Sequence, residues 1–282
     1  RKSEEITQPP ILAWGVWSVY AKTGDKSFLH HCYPHLKAYL RWNMVNRDID
    51  GDGLLEWMVE EGSDVCRCGE SGFDNSAKFD YEGAGNSVEF NAFMVNDLDY
   101  LARIACELRD ENGAAEIEKD RDRIASLIND KLWDDEDGFY YDTDIKTGRF
   151  RRIRTCTGFL PVLAGIVPQE RLSIMIDRYL INEEEFWTPM PMATVSRCEP
   201  TYCDDLWRGP AWLNVNYMIA VGLVKSGRED LAQEIAEKVC AAVERNYQQC
   251  GVLYEFYDAE DNKYPGQLAR KGYTGIRAIS DQ

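Results

Sequence analysis

The feature that most constrains the fold is the recurrence of apolar residues at helical spacing along most of the chain. In one segment, for example, Leu36, Tyr39, Leu40 and Met44 fall on a single helix face. Turn-forming residues separate nine such segments. Their predicted ranges are 11–22, 26–46, 87–109, 112–132, 155–166, 168–180, 210–226, 228–247 and 267–280. The sequence therefore predicts an all-α fold.

Two kinds of loop connect these segments. Short polar loops such as "TGD" and "SGRED" alternate with long loops at 47–86, 181–209 and 248–266, which are rich in Trp, Tyr, Asp, Glu and Gly. Strand signal is limited to one hairpin, "GFYYDTD" with "GRFRRI", and to "GVLYEFYD". No linker divides the chain, so we expect residues 1–282 to form one domain. We expect a toroid of helical hairpins with its groove at the long-loop end.

The balance of charge limits the partners that the chain can bind. It has 32 Lys and Arg against 49 Asp and Glu, and its net charge of −17 repels phosphate backbones and anionic lipids. The longest apolar runs, such as "PPILAWGVW", are shorter than the roughly 20 residues of a spanning helix. Nine scattered cysteines favour reduced thiols over a disulfide framework. We therefore expect no nucleic-acid or membrane partner and a cytoplasmic location.

The aromatic content fits a carbohydrate ligand. Sugar rings have apolar faces that pack on Trp and Tyr, and hydroxyl rims that bind Asp, Glu, Asn and Arg. The chain has 8 Trp and 15 Tyr, and most Trp side chains are expected in the core. Trp207 and Arg208, however, belong to the loop that ends at Pro210, and a proline at this position is typical of a helix start. The side chain of Arg208 is therefore predicted to face a cleft.

Two carboxylates lie in aromatic loops that are far apart in the sequence. Asp74 follows Phe73 in "ESGFDNS", and Glu255 lies between Tyr254 and Phe256 in "YEFYDAE". Aromatic neighbours remove water from a carboxyl group and raise its pKa, as a general acid requires. Glycoside hydrolysis needs one such acid and a second carboxylate that acts on water or on carbon. Taken alone, each carboxylate is more typical of a helix cap or a solvated loop acid, so both interpretations stay open.

Seven motifs form an ordered set along the whole chain. They are "TQPPILAWGVW" (7–17), "RDIDGDGLLEW" (47–57), "ESGFDNS" (70–76), "LWDDEDGFYYD" (132–142), "GFLPVLAG" (158–165), "LWRGPAWLNVNY" (206–217) and "YEFYDAE" (254–260). Together they resemble glycoside hydrolase family 63. That family contains processing α-glucosidase I and bacterial α-glucosidases, has mannosylglycerate and glucosylglycerate hydrolases among its relatives, and shares a clan with the family 37 trehalases.

The resemblance implies an (α/α)6 barrel that hydrolyses an α-glycosidic bond of an oligosaccharide or a small glycoside with inversion. The nine predicted helices are fewer than the twelve of such a barrel. We therefore expect the barrel to be incomplete at its N-terminal side. Two alternatives stay open, a trehalase-like enzyme that hydrolyses α,α-trehalose and a carbohydrate-binding remnant that no longer turns over.

The resemblance also implies roles for individual residues. Asp74 would be the general acid and Glu255 the general base that activates water, about 6.5 to 9.5 Å apart. Glu70 is the rival for the acid role. No organic cofactor is needed. The residues that would line the sugar subsite are Gln8, Trp14, Glu70, Asn75, Trp207, Arg208, Gly209 and, in the terminal "KGYTGIRAIS", Tyr273.

The segment "DIDGDGLLE" places carboxylates at alternating positions, as in a calcium-binding loop. Gly53 would form the sharp turn, but the twelfth position holds Val59 instead of Glu. The alternative is a solvated turn whose aspartates accept hydrogen bonds from backbone amides. Calcium is the metal that this pattern predicts. The candidate ligands are Asp48, Asp50, Asp52 and Glu56.

Overall fold

The computed structural model describes residues 5–59 and 67–270, and these form helices joined by long loops. The α-helices are α1 (Leu12–Thr23), α2 (Lys26–Asn46), α3 (Val88–Glu107), α4 (Glu111–Lys131), α5 (Leu160–Leu163), α6 (Gln169–Met175), α7 (Leu213–Lys225) and α8 (Glu229–Cys250). The strands are β1 (Gly85–Asn86), β2 (Trp133–Asp134), β3 (Phe139–Tyr140), β4 (Thr143–Asp144), β5 (Ala211–Trp212) and β6 (Phe256–Tyr257). The prediction of an all-α fold is confirmed.

Capping residues explain where the long helices begin and end. The Asp25 carboxylate accepts hydrogen bonds from the first N–H groups of α2, and Asp110 does the same for α4. Helix α1 ends at Gly24 and α8 at Gly251, both in the left-handed conformation that glycine adopts without steric cost. The short polar loops therefore close hairpins of antiparallel helices.

Successive hairpins pack side by side. Helix α3 contacts α1, α2, α4 and α5, while α7 contacts α5 and α8. Nearly all residues of α3 are buried, whereas α4 and α8 are buried along one stripe only. Helix α3 is therefore an inner helix of the assembly, and α4 and α8 lie on its outside.

Three predicted helices differ from the structure. The 155–166 segment forms a 3₁₀ turn at Cys156–Phe159 followed by the single helical turn of α5. The 168–180 segment forms α6 and then a π-helical turn at Ile176–Leu180. In the predicted last helix, Gln267 ends a 3₁₀ turn (Pro265–Gln267), residues 268–270 are not helical, and the remainder lies outside the described residues. Each difference falls in a short segment, where the helical period has few repeats to show itself.

The strands are two residues long and serve to join loops. Strand β5 pairs with β6, β2 with β3, and β1 with β4. The predicted hairpin at 138–153 is present in part, as a single bridge between Thr143 and Phe150. The β5–β6 pair connects the loop before α7 to the loop after α8. Within residues 5–59 and 67–270, none of the helices has the length and apolar content needed to cross a membrane.

Candidate active site

The loop that carries Asp74 is closed by hydrogen bonds among its own residues. The backbone carbonyl of Asp74 accepts from the N–H groups of Arg67 (2.9 Å) and Cys68 (3.2 Å). Ser71 Oγ donates to the Cys68 carbonyl (2.7 Å) and accepts from the Phe73 N–H (3.0 Å). Asp74 is partly exposed, whereas its two neighbours are buried. The loop therefore fixes the backbone of the predicted acid and leaves the residue partly accessible.

Asn75 joins this loop to the loop before α7. Its side-chain Oδ1 accepts a hydrogen bond from the Trp207 N–H (3.1 Å), and its backbone carbonyl accepts from Arg208 Nε (2.9 Å). Asn75 is 3% exposed, so these bonds are shielded from water. Three residues that the family resemblance assigns to the sugar subsite are thus brought together.

Four aromatic rings in contact, here called the aromatic stack, run from the Asp74 loop to the Glu255 loop; the first two rings are tilted by 57°, and the other two contacts are stacked. In spatial order the rings are Phe73, Trp207, Trp212 and Phe256. Successive ring centroids are 4.6, 3.7 and 5.0 Å apart. Phe73 directly precedes Asp74, and Phe256 directly follows Glu255. The predicted acid and base are therefore attached to the two ends of one stack, although they are far apart in the sequence.

Glu255 lies where the loop after α8 meets the start of α7. Its neighbour Phe256 begins β6 and lies opposite Trp212 of β5. The N–H of Leu213, the first residue of α7, donates to the Glu255 backbone carbonyl (3.4 Å). Glu255 is exposed. Water can therefore reach this residue, as a general base that activates water requires.

Arg208 forms a bidentate ion pair with Asp80. Its two terminal nitrogens donate to the two carboxylate oxygens of Asp80, one of them at 2.9 Å. With the Asn75 contact added, all three nitrogens of the guanidinium bind the segment that follows Asp74. Sequence reasoning assigned Arg208 to the sugar and did not find Asp80. The contacts of Arg208 fix the acid loop, and a contact with sugar stays a prediction.

Glu70 is buried and holds three parts of the chain together. Its carboxylate accepts hydrogen bonds from Arg47 Nη2 (2.7 Å), the Thr7 N–H (3.1 Å) and the Met58 N–H (2.6 Å). Both oxygens are used in these bonds. This geometry favours an orienting role for Glu70 over that of a general acid.

Gln8 lies in the segment before α1, and Trp14 lies in the first turn of that helix. Gln8 is exposed, and its Nε2 donates to the Thr7 carbonyl (2.9 Å), next to Glu70. The Trp14 ring stacks between Tyr100 (6.2 Å) and Tyr217 (6.0 Å).

Asp97 of α3 holds the start of α1 in place. Its carboxylate accepts from the Ala13 and Trp14 N–H groups, both at 2.9 Å. Burial raises the pKa of Asp97 to about 6, while these hydrogen bonds act in the opposite direction. Sequence reasoning missed this cap because it comes from another helix.

Because Gly209 has no side chain, the backbone at Cys203 can pack directly against it. A Cβ atom at this position would lie 1.9 Å from the Cys203 carbonyl oxygen. The Gly209 N–H donates to Thr194 Oγ1 (2.9 Å). The close approach is therefore made by the chain itself, whereas sequence reasoning assigned it to a sugar. Tyr273, the last predicted subsite residue, lies outside the described residues.

Gly209→Ala is expected to lower the free energy of unfolding by about 1 to 3 kcal/mol, because the added methyl group forces a backbone shift. The midpoint of thermal unfolding measures this effect. Gly15→Ala is the matched control, since Gly15 lies inside α1 with no atom within 4 Å of the new Cβ. That control is expected to be neutral or stabilising by up to about 1 kcal/mol. Equal midpoints for the two variants would contradict the prediction.

Asp48, Asp50 and Asp52 form a compact acidic turn. One carboxylate oxygen from each lies within 4.8 Å of the others. Asp48 also accepts from the Gly53 N–H (3.2 Å), which matches the alternative of a turn held by amides. Lys131 Nζ lies 2.8 Å from Asp52 Oδ2. The three carboxylates are thus already close together in the structure, and Lys131 balances part of their charge.

Two buried oxygens border this turn. Glu56 is fully buried; its Oε2 accepts from the Ile49 N–H (2.7 Å), while its Oε1 has no hydrogen-bond partner in the described part of the chain. Asn86 Nδ2 donates to Asp52 (3.2 Å), and Asn86 Oδ1 is likewise unpaired there. Burial, together with the nearby aspartates, raises the pKa of Glu56 to about 8, while the hydrogen bond from the Ile49 N–H acts in the opposite direction. Unpaired buried acceptors beside a carboxylate cluster are oxygens that a hard cation would bind.

Comparison with known proteins places the chain in a family. A family model described as a mannosylglycerate hydrolase MGH1-like glycoside hydrolase domain matches residues 1–274. A mannosylglycerate hydrolase of Thermus thermophilus is 28% identical over 314 residues, covering 90% of this chain and 71% of that protein. A probable mannosyl-oligosaccharide glucosidase of Schizosaccharomyces pombe is 24% identical over 290 residues, covering 93% of this chain and 35% of that protein.

The fold agrees with this assignment. The crystal structure of a GH63 mannosylglycerate hydrolase from Thermus thermophilus in complex with glucose matches with a TM-score of 0.78 and 27% identity, covering 92% of this chain and 71% of that chain. The chain thus spans between 35% and 71% of the length of these relatives. The predicted toroid and the predicted resemblance are both confirmed. The chain belongs to the MGH1-like glycoside hydrolase domains of glycoside hydrolase family 63.

Proposed function

We propose that this chain is an inverting glycoside hydrolase that cleaves the α-glycosidic bond of a small glycoside or an oligosaccharide, with Asp74 as general acid and Glu255 as general base. The observation that carries the proposal is the aromatic stack, which joins the loop of one carboxylate to the loop of the other. Hydrolysis with inversion needs two carboxylates held apart on either side of the anomeric carbon. Packed aromatic rings between their loops are a means of fixing that distance.

The reaction balances with these two groups and one water. Asp74 donates its proton to the glycosidic oxygen as the bond from that oxygen to the anomeric carbon breaks. Glu255 takes a proton from water, whose oxygen attacks the opposite face of the carbon. The products are the free sugar with inverted configuration and the alcohol. Asp74 and Glu255 then return to their starting states by exchanging protons with solvent.

The substrate class rests on the relatives and on the site. The two relatives above act, by their names, on mannosylglycerate and on mannosyl-oligosaccharides. An α-mannoside or an α-glucoside with a small leaving group is therefore the first candidate. Aromatic rings beside acidic and amide groups suit the apolar face and the hydroxyl rim of such a sugar.

Turnover of a substrate panel tests the proposal. The panel contains α-glucosides, α-mannosides and trehalose, and the anomer first released is followed by NMR before mutarotation. Initial β-sugar from an α-linked substrate is the expected result. Initial α-sugar would contradict inversion. Inactivity on the whole panel by a folded protein that still binds sugars would favour the non-catalytic alternative, and activity on trehalose alone would favour the trehalase-like one.

We also propose that the Asp48–Asp50–Asp52 turn binds Ca²⁺ as a structural ion. An all-oxygen ligand set is the kind that Ca²⁺ prefers, and the unpaired Glu56 Oε1 and Asn86 Oδ1 add two buried oxygens. The ion would hold the first part of the 47–86 loop, which also carries Asp74. No step of hydrolysis requires it.

Addition of Ca²⁺ to metal-free protein is expected to raise the thermal unfolding midpoint by several degrees, since a ligand at 100 times its Kd stabilises by about 2.7 kcal/mol. Asp50→Asn should lose most of this gain, because it removes one charged ligand of the turn. Asp122→Asn is the control, since Asp122 is an exposed carboxylate of α4. The idea fails when wild-type protein shows equal midpoints in Ca²⁺ and in EDTA.

A further inference from the structure

Lys78 is a buried cation directly behind the Asp74 loop. It lies in the 3₁₀ turn Ala77–Asp80 and is 3% exposed. Its Nζ binds the Glu89 carboxylate, Asp142 Oδ2 (2.8 Å) and Ser87 Oγ (3.3 Å). An ammonium group has three N–H donors, so these three oxygens satisfy it fully.

The partners of Lys78 meet at the N-terminus of the buried helix α3. Ser87 caps the N-terminus of α3, the buried inner helix, and Glu89 lies in its first turn. Glu89 also accepts from Trp57 Nε1 (2.9 Å). Asp142 accepts from the Val88 N–H (2.9 Å) at the same helix end. Lys78 therefore ties the turn after Asp74 to the start of α3.

Lys78, Glu89 and Asp142 form a buried charge cluster, and the attraction among them stabilises the contact between the Lys78 turn and α3. Burial lowers the pKa of Lys78, but the two carboxylates outweigh it and hold the pKa above its ordinary value. Lys78 thus stays charged at neutral pH. If the turn moved away, two buried carboxylates would lose their positively charged partner, which is strongly unfavourable.

A second cation holds the same segment from the other side. Arg208 binds Asp80, at the end of the Lys78 turn, and the Asn75 carbonyl, directly after Asp74. The segment from Asn75 to Asp80 is therefore fixed at both ends and, through Lys78, in its middle. Because a misplacement of about 1 Å can cost two orders of magnitude in rate, the anchoring of this segment bears directly on the acid.

We propose that Lys78 is a positioning residue for the general acid, tying the segment that follows Asp74 to the N-terminus of α3 through Glu89 and Asp142. The proposal rests on the role of Asp74 proposed above. Lys78 does not touch the substrate. It acts by keeping the Asp74 carboxyl group within proton-transfer distance of the leaving oxygen.

Lys78→Met tests this role through the dependence of the rate on the leaving group. An alkyl glycoside needs protonation by the acid, whereas fluoride leaves a glycosyl fluoride with little help. We expect kcat on an alkyl α-glycoside to fall by roughly 10- to 100-fold and kcat on the matching α-glycosyl fluoride to fall much less. Lys78→Arg keeps the charge and should recover part of the loss. Equal losses on both substrates, or no loss, would overturn the proposal.

Two further variants separate positioning from general destabilisation. Ile128→Ala removes buried side-chain volume from α4, far along the chain from Asp74, and is the control for lowered stability. In Ile128→Ala, any loss in kcat should be the same on the alkyl glycoside and on the glycosyl fluoride. Lys78→Gln combined with Glu89→Gln keeps the net charge of the cluster at its wild-type value and leaves Asp142 as its one carboxylate, so this pair replaces Lys78→Met if the single variant does not fold. The double variant is expected to show the same leaving-group dependence.

Amide hydrogen exchange gives a readout that needs no substrate. In the Lys78 variants, faster exchange is expected in peptides from residues 67–80 and not in the rest of the chain. If the wild type hydrolyses no glycoside, the proposed function fails, and exchange alone then decides whether Lys78 fixes this segment. Exchange that is unchanged, or faster throughout the chain as in Ile128→Ala, would overturn the positioning role.

Discussion

Asp74→Asn is expected to lower kcat on an alkyl α-glycoside by a factor of at least about 100, because general acid catalysis typically contributes that much or more. The factor corresponds to about 2.7 kcal/mol of transition-state stabilisation. Asn keeps the shape of Asp but has no acidic proton to donate to the leaving oxygen. The backbone bonds of the loop use the Asp74 carbonyl, so the substitution leaves them intact. The measurement is kcat and KM on the substrate found with the panel.

Glu255→Gln separates the roles of the two carboxylates. On an α-glycosyl fluoride, Asp74→Asn should retain most of its activity, since fluoride departs with little protonation. Glu255→Gln should be inactive on the fluoride and on the alkyl glycoside, because both reactions need activated water. If the two variants instead respond alike to the change of leaving group, the assignment of acid and base is wrong.

Glu70→Gln decides between Asp74 and its rival. The Glu70 carboxylate already accepts hydrogen bonds from Arg47, Thr7 and Met58. We therefore expect Glu70→Gln to lose stability without a selective loss on poor leaving groups. A selective loss in Glu70→Gln, with near-normal activity in Asp74→Asn, would transfer the acid role to Glu70.

The helical fold could be predicted from the sequence because its signal is local. The long helices α2 and α4 carry their own apolar stripes and their own N-caps. The predicted segments at 26–46 and 112–132 therefore lie within one residue of α2 (Lys26–Asn46) and α4 (Glu111–Lys131). Pro34 lies inside α2 all the same, because tertiary packing can outweigh the loss of one backbone hydrogen bond. The short α5 and α6 had too few repeats for their ends to be predicted.

The contacts that build the site could not be predicted in this way. The ion pair of Arg208 with Asp80 and the bond of Asn75 with Trp207 each join residues more than 100 positions apart. No local pattern encodes such a partner, since a buried lysine or aspartate looks like a surface residue in the sequence. The family resemblance supplied Asp74 and Glu255, but it gave no sign of Lys78, whose partners come from α3 and from the β3–β4 connection.

The largest expected loss of stability follows from Arg47→Met, about 3 to 5 kcal/mol in the free energy of unfolding. Arg47 and Glu70 form an ion pair in which both side chains are 4% exposed. Without the guanidinium, the Glu70 carboxylate stays buried and loses its charged partner. Arg47 Nη2 also donates to the Glu5 carbonyl (2.6 Å), so the N-terminal segment beside Gln8 loses an anchor as well. Denaturant unfolding measures the change.

An exposed ion pair is the matched control for this prediction. Lys26 and Glu107 are 57% and 31% exposed, so Lys26→Met should cost no more than about 1 kcal/mol. Arg47→Met combined with Glu70→Gln removes the buried charge and should recover part of the loss, because an uncompensated carboxylate is the main cost of the single change. A loss in Arg47→Met no larger than in Lys26→Met would mean that Glu70 remains well satisfied by the Thr7 and Met58 N–H groups. These two backbone N–H groups would then be sufficient to stabilise the buried Glu70 carboxylate. Glu70 would connect the loop that carries Asp74 to the segment around Thr7 without help from a cation.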